Sequence, residues 1–131
     1  MQPLIVRAEY QLSVEQAKNR LFYQNFAAME FAPNLPTYLP DWTAALAQVR
    51  PGFCILADIQ VVNKTNPALL TTFQAAEQLI VGRGVRLVAE VHVPGVSVLR
   101  EADEVTTRQA MPVRHFLSVW EALQFLDEPA P

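Results

Sequence analysis

Phe53–Leu70 reads FCILADIQVVNKTNPALL. Its first ten residues, to Val62, are mostly β-branched, aliphatic or aromatic, which is the composition of a buried strand. Asn66-Pro67 then supplies a helix N-cap and a proline at the first helical position, where the missing N–H costs nothing. Leu69, Phe73, Ala76 and Ile80 follow at helical spacing. Gly82 or Gly84 ends that helix, because a left-handed C-cap suits glycine. The stretch predicts a strand, a turn and a helix, the repeating unit of an α/β fold.

The flanks extend the pattern. Two β-leaning stretches, about Leu4 to Leu12 and Arg20 to Ala28, predict a hairpin joined through polar Ser13 to Asn19. YLPDWTAALAQVR places Leu39, Trp42, Leu46 and Val49 on one helical stripe, stopped by Pro51-Gly52. A strand is expected over Val85–Val93, an exposed helix over Ser97–Gln109 and a short strand over Val113–Leu117. Ser118 and Glu121 form a capping-box pattern opening a last helix to about Leu126. The order ββαβαβαβα predicts a single α/β domain over residues 1–131, with a frayed tail at 127–131. Its one mixed sheet carries an N-terminal hairpin and parallel crossovers, with helices mainly on one face.

Composition narrows the function classes. A net charge of −3 with scattered arginines disfavours nucleic-acid binding. One cysteine, Cys54, permits neither an internal disulfide nor a cysteine zinc site, and its apolar strand setting predicts an inert thiol. No stretch reaches the length of a membrane span, and MQPLIVRAEY lacks the basic start and long apolar core of a signal peptide, so a cytoplasmic location is expected. Four glycines cannot build a phosphate loop, a dinucleotide fingerprint or a nucleophile elbow. No catalytic residue, metal or cofactor is expected.

Parity along the strand at 85–93 singles out further residues. Val85, Leu87, Ala89, Val91 and Val93 are apolar, whereas Arg86, Glu90 and His92 alternate with them. This pattern predicts one face packed under helices and one left partly open, where Asp58 could join Glu90 and His92. A flat, charged sheet surface explains that cluster better than a metal or acid–base site does. His115 reads as an ordinary, partly buried strand histidine. Trp42, Trp120, Tyr23, Tyr38, Phe22 and Phe31 read as core, with an oligomer interface or an apolar pocket as the alternatives.

From Phe53 to Leu126 the chain resembles the STAS domain, the fold of bacterial anti-sigma-factor antagonists. The likeness lies in ILADIQ, in the helix closing at VGRG, in the strand VRLVAEV and in the last helix of FLSVWEALQFL. EYQLSVEQAKNRLFYQNF is similar to the opening hairpin of standalone STAS-like proteins. The resemblance implies a non-enzymatic interaction module with a protein partner, acting through the turn Asn63, Lys64, Thr65, Asn66 or through self-association as a homodimer. Antagonists carry an Asp-Ser-Ser-Gly-type turn there, and a kinase phosphorylates one serine. Asn66 stands at that position and has no hydroxyl, which leaves Thr65 as the one modifiable residue of the turn. The alternative function is binding of a small apolar ligand or lipid.

Overall fold

In the computed structural model, which describes residues 2–61, 63, 66–92 and 111–128, the N-terminal β region is three strands rather than two. Arg7 N donates to Tyr10 O (2.8 Å), reversing the chain between β1 (Gln2–Val6) and β2 (Tyr10–Glu15). No glycine or proline marks this turn, so the sequence runs through it as one stretch. A 3₁₀ turn at Gln16–Lys18 leads to β3 (Arg20–Asn25) through Asn19, whose φ of 52° asparagine tolerates better than most residues.

The later elements follow the sequence more closely: α1 (Tyr38–Leu46), β4 (Cys54–Ile59), α2 (Leu69–Arg83), β5 (Leu87–His92), β6 (Val113–Phe116) and α3 (Val119–Asp127). The helix expected at Ser97–Gln109 lies outside the described residues. Among those described, the fold is α/β, with one mixed six-stranded sheet and three α-helices. Strand order is sequential, β1 to β6; the first two pairings are antiparallel and the last three parallel.

Both sheet faces are covered. Leu12, Leu21, Ile55 and Val88 pack with Trp42, Ala76 and Ile80 of α1 and α2, forming the main core. Cys54, Leu56, Ala89 and Val91 pack under Ala122 and Leu126 of α3 on the opposite face. The expectation of one open face along β5 is therefore corrected. β5 is an inner strand, and the charged positions of its alternating pattern are themselves buried, Glu90 at 1% and His92 at 5% exposure.

Side chains tie the helices down. Arg83 in the last turn of α2 donates through Nε to Leu46 O (3.0 Å) and through Nη2 to Val49 O (2.6 Å). It thereby satisfies carbonyls that the end of α1 leaves without helical partners. Arg7 grips Asp41 with two 2.9 Å bonds, and the Tyr10 hydroxyl donates to the same carboxylate, joining the first two strands to the first turn of α1. Asp127 bonds Arg20 Nη2 (2.9 Å) at the end of α3, so the expected frayed tail does not begin there. Residues 129–131 lie outside the described set.

Gly84 closes α2 with φ of 93°, and Gly52 N donates to its carbonyl (2.7 Å). A Cβ added there would meet Pro51 Cβ at 3.1 Å. Gly84→Ala is expected to destabilise the fold by about 1–2 kcal/mol, the cost of a left-handed alanine. Urea denaturation checks this; an unchanged midpoint would show that the turn relaxes freely. Gly82→Ala, with open space around it, is the matched control.

Candidate functional site

The strand register builds a row across the face that α1 and α2 cover: Leu12, Tyr23, Ala57, Glu90 and His115 are successive partners. Small Ala57 in the middle of this row leaves room between the sheet and the helices. A pocket of about 110 Å³ opens there, walled by Tyr23, Trp42, Ile59, Phe73, Ala76 and Met111 among others. Aromatic packing stiffens its wall. Tyr23 and Trp42 rings lie 5.5 Å apart, Tyr38 meets Phe73 edge-on at 5.4 Å, and Tyr38 meets Tyr10 edge-on at 5.1 Å.

Few polar groups reach this lining. Asn25 is committed to the backbone, accepting from Gln60 N (2.7 Å) and Val61 N (3.2 Å) and donating to Val61 O (2.9 Å). Trp42 Nε1–H is buried and has no hydrogen-bond partner among the described residues. Buried indole N–H groups are ordinarily paired, so this donor stands out. Glu77 and Glu90 bring carboxylates to the wall.

Glu90 also belongs to a second arrangement. His115 is its register partner on β6, and His92 lies two residues along β5 on the same face. Glu90 Oε1 is 2.9 Å from His92 Nε2, which is 3.0 Å from His115 Nδ1; His115 Nδ1 and Glu90 Oε1 are 3.9 Å apart. The His115 side chain is 49% exposed, so the cluster runs from the interior to the surface. Two nitrogens and one carboxylate oxygen form a donor set that can hold a divalent transition ion.

The register separates Asp58 from this cluster. Asp58 pairs with Val91, which places its side chain on the α3 side of the sheet, opposite Glu90 and His92. There it borders a groove of about 240 Å³ between α3 and β2–β4, and Gln60 Nε2 donates to it. His115 takes the place that parity assigned to Asp58. The signal for it was the pairing of two short parallel strands with a histidine in each, but one strand's parity does not reveal its neighbour's register.

Asn63 and Asn66, the two described residues of the expected turn, are tied inward. Asn63 Nδ2 donates to Met29 O (2.8 Å) and Ala32 O (3.2 Å), and Asn66 Nδ2 donates to Pro33 O (2.6 Å). Asn66 Oδ1 accepts from Ala68 N (3.1 Å) and Asn63 Oδ1 from Asn66 N (3.1 Å), so both asparagines shape the approach to α2. Lys64 and Thr65, with the expected phosphorylation position, lie outside the described residues. No protein-family model, curated protein or solved structure matches the chain, so none of these comparisons identifies a STAS domain. No helix among the described residues is long and apolar enough to cross a membrane.

Proposed function

We propose that this protein binds a small, largely apolar molecule in the pocket between the sheet and α1–α2. The observation that carries this reading is a hollow lined by buried aromatic and aliphatic side chains, Trp42 among them. The pocket volume of about 110 Å³ is somewhat below the roughly 150 Å³ of an apolar cavity that holds benzene. The fitting class is therefore a compact, mostly apolar molecule rather than a long-chain lipid.

Indole N–H resonances test this directly, since the chain has two tryptophans and Trp120, 67% exposed, serves as an internal reference. Titration with cyclopentanone or phenol is expected to shift the Trp42 indole signal saturably and leave that of Trp120 in place. Ala76→Leu, which fills the pocket from α2, is expected to weaken binding at least about tenfold while keeping the fold. Equal movement of both indoles, or binding that survives the filling substitution, would reject the pocket as the site.

A further inference from the structure

We propose that Glu90, His92 and His115 form a binding site for a divalent transition ion of the zinc class, held through Glu90 Oε1, His92 Nε2 and His115 Nδ1. The site shares Glu90 with the pocket but does not depend on the pocket's ligand.

Three observations point to it. The chain has two histidines, 23 positions apart in sequence, and the β5–β6 pairing brings both to one carboxylate. The closest point equidistant from three atoms separated by 2.9, 3.0 and 3.9 Å lies about 2.0 Å from each, which is the usual length of zinc bonds to imidazole and carboxylate. Modest side-chain adjustment, of about half an ångström, turns this near-planar set towards the tetrahedral geometry zinc prefers.

Proton placement gives the third. His92 Nε2 faces both a carboxylate oxygen and a ring nitrogen at hydrogen-bond distance, and it carries either one proton or one lone pair. As a donor it serves one of these neighbours well; as an acceptor it likewise serves one. A cation at the centre uses the lone pairs of all three atoms together. Mixed nitrogen and oxygen donors favour the zinc class over calcium or magnesium, which take oxygen sets. Partly exposed His115 gives the ion a route in from solvent.

The test uses untagged full-length protein, dialysed against chelator and then titrated with Co²⁺, whose visible absorption reports imidazole coordination, and with Zn²⁺ as competitor. One ion per chain is expected. His115→Ala changes a half-exposed side chain and should leave the far-ultraviolet circular dichroism unaltered while weakening Co²⁺ at least about 100-fold, beyond the usual loss from a supporting residue. Glu90→Gln keeps the side-chain shape and should weaken binding at least about tenfold. Absence of a cobalt spectrum, or equal affinity in His115→Ala, overturns the site. Because the probe is the metal alone, neither result bears on the pocket.

Discussion

Trp42→Ala should lower stability by about 3–5 kcal/mol, the range for truncating a buried tryptophan. Trp42 is 3% exposed and packs against Tyr23 and Tyr38 as part of the pocket wall. Its removal would enlarge an existing hollow rather than open a new one, and the aromatic ring contacts around it limit collapse. Such a loss lowers the melting temperature by roughly 10–20 °C in a domain of this size. The urea midpoint should fall with little change in slope, which keeps the effect in the folded state. Trp42→Phe should cost much less, about 1 kcal/mol, because the lost N–H has no partner among the described residues. Equal losses in the two variants would mean that the indole nitrogen contributes to stability after all.

The second large effect is expected at Asp41, with a defined pH dependence. Hydrogen bonds from Arg7, joined by one from Tyr10, hold this carboxyl below its ordinary pKa of 3.8, against the opposing effect of burial. Asp41→Asn should cost about 2 kcal/mol at pH 7. The figure sits below that for breaking a fully buried pair because the Arg7 side chain is 43% exposed and partly screened. A folded-state pKa below the unfolded one contributes stability that is fully present above the unfolded value. That contribution is lost as pH falls through the folded value. Wild type and Asp41→Asn should therefore differ most near neutrality and converge below about pH 4. Denaturation midpoints at a series of pH values read this out, and a constant gap across the series would remove the Arg7–Asp41 pair as the cause.

Local signals in the chain were legible where chemistry acts over a few residues. Gly84 ended α2, and Ser118 Oγ accepts from Glu121 N (3.1 Å) at the start of α3. α2 itself begins at Leu69 with Ala68 as its N-cap, two residues beyond the expected Asn66, whose Oδ1 instead accepts from Ala68 N. Apolar character, interrupted once by Asp58, marked β4. The turn after Val6 was not legible, because RAEY reverses the chain through one backbone hydrogen bond and contains no residue that demands a turn. The α/β class survived this error, since an extra antiparallel strand at the edge leaves the parallel part unchanged.

The candidate sites lay further from reach. Alternation along β5 told which residues share a face, and Glu90 does share one with His92. It could not tell which face the helices cover. Charge suggested solvent for Glu90 and His92, whereas the fold buries them against each other and satisfies part of their polarity locally. Nor could parity place Asp58, because a shift of one residue between parallel strands moves a side chain to the opposite face. The sequence by itself determined α1, β4, α2, β5, β6 and α3 and their order, through periodicity, caps and turn chemistry. Only the tertiary structure decided that His115, not Asp58, stands beside Glu90, and that Trp42 helps to wall a pocket. Both depend on register and helix placement, which are set by the packing of segments far apart in the chain.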